Sequence, residues 1–277
     1  MSTQHNPKSA NTHPKPTIII TGASSGIGEA TAILFGERGY HVVLAARRLD
    51  RLNTVASQIQ AHGGEALAVQ TDVTNLEDVQ NLVQISLDQY GRIDILFNNA
   101  GFGRMDWLEN LDPVEDIAAQ INTNLLGLIQ TTRTVLPYMI DQGSGHIINM
   151  ASIAGLVATP TYSIYAASKF GVRGFSEALR REVGIHGVHV STIYPGAVLN
   201  EFNQKARIQR KTGVTTPAWL RLSNQDVATG VLKLVQNPRR SLVIPWQMKP
   251  IVWANVWFPG LLDMLMEKYF VSKERKQ

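Results

Sequence analysis

The sequence predicts an α/β protein in which a doubly wound parallel β-sheet carries helices on both faces within a single domain. Two observations lead to this fold class. Short apolar runs alternate with amphipathic stretches from residue 17 onward. The runs are largely apolar throughout rather than at every second position, as in strands that are covered on both faces. Right-handed crossovers between such strands produce the doubly wound, Rossmann-like arrangement.

Seven apolar runs account for the predicted strands. In chain order they are TIIITG, HVVLAAR, ALAVQTDV, IDILFNNAG, GHIINMAS, VHVSTIYPG and SLVIP. Helical spacing appears between them, for example in EATAILFGERG and LEDVQNLVQISLDQYG. The first sixteen residues are polar, contain Pro and lack the apolar core of a secretory signal. We therefore expect a disordered leader over 1–16, one domain over 17–248 and an amphipathic extension over 249–277.

Composition excludes several classes of protein. The chain has no Cys, so it has neither a disulfide framework nor a Cys-containing zinc site, which is in keeping with a cytoplasmic protein without a structural metal. Its net charge of +4 reflects 26 basic and 22 acidic residues without a long basic run. We therefore expect no nucleic-acid partner. No apolar stretch reaches the roughly 20 residues that span a bilayer.

A glycine-rich segment, TGASSGIGEA, joins the first predicted strand to the first predicted helix. It contains Gly22, Gly26 and Gly28. Glycines allow a tight turn and a close approach of the backbone to a ligand, and a helix N-terminus offers free N–H groups to a phosphate. The segment indicates a pyrophosphate site, although a tight turn that is rich in Gly for packing alone has the same pattern.

The spacing T-G-x-x-x-G-x-G resembles that of the short-chain dehydrogenase/reductase family. Three further segments carry the same resemblance in the same order, namely NNAG at 98–101, YAASK at 165–169 and YPGAV at 194–198. The resemblance covers roughly residues 17–245. It implies a dinucleotide-dependent oxidoreductase that acts on a small carbonyl compound or alcohol, assembled as a homodimer or homotetramer.

The end of the second predicted strand indicates which dinucleotide binds. An acidic residue at this point would bind the adenosine ribose, but the chain has Ala45-Ala46-Arg47-Arg48 there. Arginine forms paired hydrogen bonds with phosphate, so we predict NADP(H) in preference to NAD(H), with Arg47 the stronger candidate because it is nearer the strand. Alternatively, both arginines are solvated.

The glycine-rich segment, the two arginines and the family resemblance together give the set of predicted cofactor-binding residues. They are Gly22, Ser24, Ser25, Gly26, Ile27, Gly28, Arg47, Arg48, Asp72, Val73, Asn99, Ala100, Gly101, Tyr165, Lys169, Pro195, Gly196 and Val198.

Tyr165 and Lys169 are four residues apart, which places them on one face if residues 163–175 form a helix. A nearby ammonium favours phenolate, so we expect Lys169 to lower the pKa of Tyr165 from about 10. Tyr165 would then transfer a proton near neutral pH. An exposed pair with a solvated Lys is the alternative when these two residues are taken alone. Tyr162, without a Lys four residues later, is assigned to the substrate wall or to packing.

The resemblance supplies two further catalytic candidates. Ser152 lies thirteen residues before Tyr165 and would orient a substrate carbonyl oxygen. Asn124 fits the family's N-x-x-G position and would help to hold a water beside Lys169 through its amide. A nucleophilic Ser152 would need a base and an orienting group. His146 is the nearest His, but no G-x-S-x-G elbow surrounds Ser152.

The sequence therefore predicts an NADPH-dependent carbonyl reductase or alcohol dehydrogenase that acts reversibly on an apolar ketone or aldehyde. The alternative from another class is a non-catalytic NADP(H)-binding regulator. Residues 199–222 are predicted to form a mobile lid over the substrate, with Phe202, Trp219 and Leu220 as apolar contacts. The family often has Thr at the position of Asn200, and the resemblance implies that this Thr helps to hold the nicotinamide amide; Asn can also form a hydrogen bond there.

The C-terminal stretch IVWANVWFPGLLDMLMEKYF, residues 251–270, is predicted to form two short amphipathic helices broken at Pro259. Three interpretations remain open. The stretch caps the substrate cleft, mediates assembly, or attaches in the plane of a membrane with the basic tail near anionic lipid.

Overall fold

Seven parallel strands form one sheet in the order β3-β2-β1-β4-β5-β6-β7. The computed structural model describes residues 15–199, 206 and 216–275, so the predicted leader lies almost entirely outside them. The arrangement confirms the predicted fold class. The strands are β1 (Thr17–Thr21), β2 (His41–Ala46), β3 (Glu65–Gln70), β4 (Ile95–Asn98), β5 (Gly145–Met150), β6 (Val188–Pro195) and β7 (Ser241–Ile244).

Helices connect the strands and cover both faces of the sheet. In the order of the chain, the helices up to β7 are α1 (Gly26–Glu37), α2 (Leu49–Ala61), α3 (Leu76–Tyr90), α4 (Ala119–Ile121), α5 (Gly127–Asp141), α6 (Ser163–Val183) and α7 (Asn224–Gln236). The short α4 lies between two π-helical segments, Pro113–Ala118 and Asn122–Leu126.

The side chains of each strand alternate between two buried cores. In β1, Ile18 and Ile20 pack in one core with residues of α1, α2 and α7. Ile19, which lies between them, packs in the other core with residues of α3, α5 and α6. All three isoleucines are fully buried, which explains why the strands are apolar throughout.

A crevice opens where the strand order reverses. β1 pairs with β2 on one side and with β4 on the other, so the chain leaves the carboxyl ends of β1 and β4 toward opposite faces of the sheet. In an open α/β sheet, ligands bind outside the strand ends at such a switch point. Every segment that carried the sequence resemblance begins at or near this edge.

The C-terminal extension forms the two predicted short helices, α8 (Lys249–Trp257) and α9 (Pro259–Met266). A π-helical segment, Glu267–Val271, and the short α10 (Ser272–Arg275) follow. Contacts of Asn255 and Arg275 help to anchor the extension to the rest of the chain. Asn255 Nδ2 donates to the Leu156 carbonyl at 3.4 Å, and the Arg275 guanidinium lies 2.8 Å from Glu109 and 4.0 Å from the ring centroid of Trp107. Within the described residues, no helix has the length and apolarity needed to cross a bilayer.

His146, the second residue of β5, is buried in a neutral form. Its Nε2 lies 2.8 Å from Ser191 Oγ, and that hydroxyl donates its only proton to the Arg239 carbonyl at 2.6 Å. Nε2 must therefore carry the imidazole proton and donate it, which leaves Nδ1 bare and without a partner in the described part of the chain. Burial, helped by the charge of His189, lowers the pKa of His146 from 6.5 to about 4.

We predict that His146 makes the protein acid-sensitive. Because its folded pKa lies below the unfolded value, the unfolded chain binds the proton first as the pH falls from about 6.5 to 4. The free energy of unfolding should drop by about 3 kcal/mol over this interval on account of His146 alone. Urea unfolding of the wild type and of His146→Asn across these pH values should show a shallower pH slope in the variant. Parallel slopes would contradict the assignment.

Candidate active site

The glycine loop after β1 has a backbone that only glycine accommodates easily. Gly22 and Gly26 have φ angles of +68° and +63°, in the left-handed region. A Cβ on Gly22 would lie 2.9 Å from the Ala100 Cα, and a Cβ on Gly28 would collide with the Gly22 carbonyl oxygen. The side chain of Ser25, the residue before α1, makes no capping hydrogen bond to the helix. The loop and helix terminus therefore have the shape and polarity that fit a pyrophosphate.

Thr21 and Asn99 fix the ends of β1 and β4 to each other. The Thr21 hydroxyl accepts hydrogen bonds from the backbone N–H groups of Asn99 and Ala100, both at 3.0 Å. Asn99 Nδ2 donates to the carbonyls of Thr21 and Gly22 at 3.0 and 3.3 Å. These bonds couple the glycine loop to the predicted NNAG segment. Thr21 was missed as a positioning residue, although it is the first letter of the T-G motif.

The two arginines after β2 occupy different positions. Arg48 Nη2 donates to Ser24 Oγ at 3.1 Å and to Ser25 Oγ at 2.9 Å, so its guanidinium lies against the glycine loop. The Arg47 side chain is 78% exposed and reaches Asp72 at 4.0 Å. Arg48 therefore contacts the glycine loop, whereas Arg47, the stronger candidate in the sequence, lies on the exposed side, because successive residues leaving a strand point to opposite sides. The assignment of a cofactor phosphate to either residue stays a prediction.

Asp72 and Val73 follow β3 at the same edge. The Asp72 carboxylate accepts hydrogen bonds from the Thr74 backbone at 3.0 Å and from the Thr74 hydroxyl at 2.8 Å. Val73 is buried against Gly127, where an added Cβ would lie 2.8 Å from Val73 Cγ2. Both residues are thus fixed near Arg47, at the side of the crevice predicted to take the adenosine.

Tyr165, Ser152 and Lys169 converge on the crevice from two elements. The side chains of Tyr165 and Ser152 are hydrogen-bonded to each other. Lys169 lies one turn further along α6, and its Nζ donates to the carbonyl of Met150, the last residue of β5, at 2.9 Å. The same Nζ lies 5.8 Å from the centroid of the Tyr165 ring. The predicted helix and the predicted proximity of the pair are therefore both present.

The expectation that Lys169 lowers the pKa of Tyr165 is wrong for the free site. Burial raises the pKa of Tyr165 to about 12; the hydrogen bond to Ser152 lowers it by less, and Tyr162 raises it slightly. Burial also lowers the pKa of Lys169 to about 8. The physical reason is desolvation, which penalises the charged form of both groups and is the largest cause for each. At neutral pH, Tyr165 is a protonated phenol.

Asn124 lies in a π-helical turn and is fully buried. Its Nδ2 donates to the Phe102 carbonyl at 2.8 Å and to Ser168 Oγ at 3.3 Å, while its Oδ1 accepts from the Phe102 N–H at 2.9 Å. Both amide N–H groups are therefore used within the protein, and the amide clamps the loop after β4 to α6. If Asn124 contacts a water beside Lys169, as predicted, only its amide oxygen can make that hydrogen bond.

His146 is not a base for Ser152. His146 lies at the start of β5, whereas Ser152 follows the end of that strand, and the His146 ring is hydrogen-bonded to Ser191 instead. Ser152 Oγ accepts a hydrogen bond from the Ala154 N–H at 3.2 Å, and its residue caps a short 3₁₀ turn. His146 and Ser152 therefore do not form the base–nucleophile pair that a catalytic serine needs.

The crevice forms a cleft of about 370 Å³, within the range of small-molecule sites. Most of the predicted site residues line it, namely Gly22, Ser25, Gly26, Ile27, Asn99, Ala100, Gly101, Ser152, Tyr165, Lys169, Pro195, Gly196 and Val198. Ser24, Gly28, Arg47, Arg48, Asp72, Val73 and Asn124 lie behind or beside these residues. Tyr162 also lines the cleft, as predicted. Lining residues that the sequence did not indicate include Phe102, Met105, Val157, Thr159 and Met248.

The predicted substrate lid is described only in part. Asn200, Phe202 and most of residues 199–222 lie outside the described residues. Within the described part, Thr216 lines the cleft, whereas the predicted contacts Trp219 and Leu220 do not, and Trp219 is largely exposed.

Comparison with known proteins agrees with this geometry. The family model for short chain dehydrogenases matches residues 16–211, which is more than half of the chain. An uncharacterized oxidoreductase of Listeria innocua is 45% identical over 186 residues, covering 66% of this chain and 75% of that protein.

Two solved structures have the same fold. A short-chain dehydrogenase/reductase from Burkholderia phymatum in complex with NAD superposes with a TM-score of 0.80 at 28% identity, over 90% of this chain and 95% of the other. An alcohol dehydrogenase from Thermococcus sibiricus complexed with 5-hydroxy-NADP gives a TM-score of 0.73 at 28% identity, over 83% and 96%. From the motifs, the sheet order and these matches, we conclude that the chain belongs to the short-chain dehydrogenase/reductase family.

Proposed function

We propose that this protein is an NADP(H)-dependent carbonyl reductase that also catalyses the reverse oxidation of an alcohol, with an apolar ketone or aldehyde as substrate. The observation that carries the proposal is the buried, hydrogen-bonded pair Tyr165–Ser152 beside Lys169, in a cleft that also contains the glycine loop. A non-catalytic NADP(H)-binding regulator has no need of a proton donor in that cleft.

Tyr165 is the proton donor in this proposal. When bound, NADPH supplies the hydride that reduces the substrate carbonyl carbon. Tyr165 gives its phenolic proton to the substrate oxygen as negative charge develops there, and an alkoxide is basic enough to take a proton even from a phenol with a pKa of about 12. This transfer leaves a tyrosinate on the protein and gives a neutral alcohol as the product. The tyrosinate then regains its proton from solvent.

Ser152 and Lys169 support that transfer. Because Ser152 is hydrogen-bonded to Tyr165, its hydroxyl lies where it can donate to the same substrate oxygen. Lys169 is held by the Met150 carbonyl, 5.8 Å from the phenol ring, and its ammonium stabilises the tyrosinate after the proton has left. The cost of creating a buried phenolate is thereby reduced.

The preference for NADP(H) rests on the arginines at the end of β2. Arg48 is fixed against Ser24 and Ser25 of the glycine loop, and Arg47 lies on the exposed side, so both cations lie near the position proposed here for the adenosine ribose. No carboxylate stands at Ala45 or Ala46, where one would repel a 2′-phosphate. The Thermococcus sibiricus relative was solved with an NADP derivative and the Burkholderia phymatum relative with NAD, so the support for NADP(H) comes from the arginines.

The preference for an apolar substrate rests on the cleft wall. Phe102, Met105, Val157, Tyr162 and Met248 line it together with the catalytic candidates. Such a wall gains free energy from apolar groups of a substrate and provides few partners for hydroxyls or charges.

We predict that Tyr165→Phe lowers kcat by about 10²-fold or more, because the substrate oxygen loses its proton donor. NADPH oxidation should be followed at 340 nm over a panel of aromatic and aliphatic ketones and aldehydes. NADPH binding, measured by fluorescence, should be unchanged. Tyr162→Phe is the matched control, since it removes a neighbouring hydroxyl from the same cleft wall and should keep most of its activity.

The two variants also separate the proposal from its rival. A regulator would bind NADPH without oxidising it in the presence of any carbonyl compound of the panel. Equal turnover by Tyr165→Phe and the wild type would remove Tyr165 from the proton-transfer role.

We predict that Arg48→Ala raises KM for NADPH by roughly 10- to 100-fold, because the 2′-phosphate would lose a charge-assisted hydrogen bond. KM for NADH should change little, because that cofactor has no 2′-phosphate. Arg47→Ala is the matched variant and should raise KM for NADPH by less, since its side chain is mostly exposed. Equal effects of Arg48→Ala on both cofactors would show that the residue only supports the glycine loop.

A further inference from the structure

The C-terminal helices expose their apolar side chains instead of burying them. In α8, Trp253, Val256 and Trp257 follow the i, i+3, i+4 spacing of one helix face, and in α9 Leu261, Met264 and Leu265 repeat it. These six residues, here called the apolar stripe, are between 39% and 76% exposed. A contiguous exposed apolar surface on a folded protein marks an interaction site.

The apolar stripe does not cap the substrate cleft. Among the described residues after 199, Thr216 and Met248 line the cleft wall, and none of the stripe residues does. Asn255, on the opposite face of α8 from the stripe, is hydrogen-bonded to Leu156 in the body of the protein. The stripe therefore faces away from the fold.

A strongly basic hollow adjoins the stripe. This hollow, here called the basic hollow, contains the cations Arg173, Arg180, Arg181, Arg240 and Lys249. Among the described residues that line it, Glu177 is the one carboxylate. Trp253 lines this hollow and also belongs to the stripe, so the two surfaces are continuous.

Glu177 does not neutralise the basic hollow. It accepts a hydrogen bond from Arg173 Nε at 3.0 Å, and this bond together with the charges of Arg173, Arg180 and Arg181 holds the pKa of Glu177 below its usual range. Four cations of the hollow remain beyond this one ion pair. A surface with such an excess of positive charge attracts an anionic partner.

We propose that the apolar stripe and the basic hollow together form a docking surface for an anionic phospholipid bilayer. The stripe enters the interfacial region in the plane of the membrane, and lipid phosphates meet the hollow. Trp is suited to this boundary because its ring is largely apolar yet carries an N–H donor. Each basic side chain near the surface adds attraction to anionic lipid.

Charge complementarity favours lipid over a second copy of this chain. A two-fold contact centred on the stripe would bring two basic hollows toward each other through Trp253, and the whole chain carries a net charge of +4. Like charges at close range oppose such a contact. The proposal does not depend on the proposed activity, since binding to vesicles needs neither cofactor nor turnover.

The test is flotation of the full chain with vesicles of phosphatidylglycerol and phosphatidylcholine, and with vesicles of phosphatidylcholine alone. The wild type should float with the mixed vesicles and more weakly with the neutral ones. Trp257→Glu should lower the partition coefficient by more than about tenfold, because a large apolar side chain is replaced by a charge. Ile185→Glu is the matched control at another exposed apolar residue, 85% exposed at the far end of α6, and should float like the wild type.

The contribution of the basic hollow is tested separately. Arg181→Gln and Lys249→Gln should each lower partitioning onto the anionic vesicles by about fivefold without changing partitioning onto neutral ones. Arg51→Gln, on α2 beside the opposite edge of the sheet, is the matched control and should have no effect.

Two outcomes would overturn the proposal. The first is a wild type that stays at the bottom of the gradient with both vesicle types, and the second is a Trp257→Glu variant that floats as well as the wild type. If, in the first case, the wild type is a dimer by analytical ultracentrifugation and Trp257→Glu is a monomer, the stripe is assigned to a second copy of the chain.

Discussion

The candidate site depends on one contact, the hydrogen bond from Lys169 Nζ to the carbonyl at the end of β5. It ties α6 to the sheet at the level of the crevice, and the buried residues further along α6, Val172, Ser176 and Leu179, keep the same face of the helix toward the sheet. Tyr165, one turn earlier on the same face, is thereby directed at Ser152, which follows β5 by two residues. The turn after β5 and α6 approach each other closely, as Gly155 shows. A Cβ on Gly155 would lie 2.7 Å from the Lys169 carbonyl oxygen.

Burial is what makes this arrangement chemically useful. A buried phenol with a pKa of about 12 keeps its proton until a stronger base forms beside it, which suits the reduction of a carbonyl group. A buried lysine with a pKa of about 8 stays mostly protonated at neutral pH. Oxidation of an alcohol needs the opposite state, a tyrosinate, and that state requires additional positive charge near the ring. The direction of the reaction is thus linked to what else occupies the cleft.

Much of the site could be predicted from the sequence, because the chemistry there depends on local spacing. The glycine turn, the four-residue interval from Tyr165 to Lys169 and the position of Ser152 are all short-range patterns. The features of the site that the sequence did not predict, or predicted wrongly, depend on tertiary structure. Which of Arg47 and Arg48 faces the glycine loop follows from the course of the chain after β2, and the pKa of Tyr165 follows from how completely the fold excludes water. Met248 reaches the cleft from a part of the chain that no motif marks.

The central claim is that Tyr165 is a protonated proton donor in the free protein. Ultraviolet difference titration of the wild type against Tyr165→Phe, read at the phenolate absorbance near 295 nm, tests it directly. The account predicts no Tyr165-dependent phenolate signal at or below the ordinary phenol pKa of about 10. A Tyr165-dependent signal with a midpoint between neutral pH and that value, in the absence of any cofactor, would contradict it.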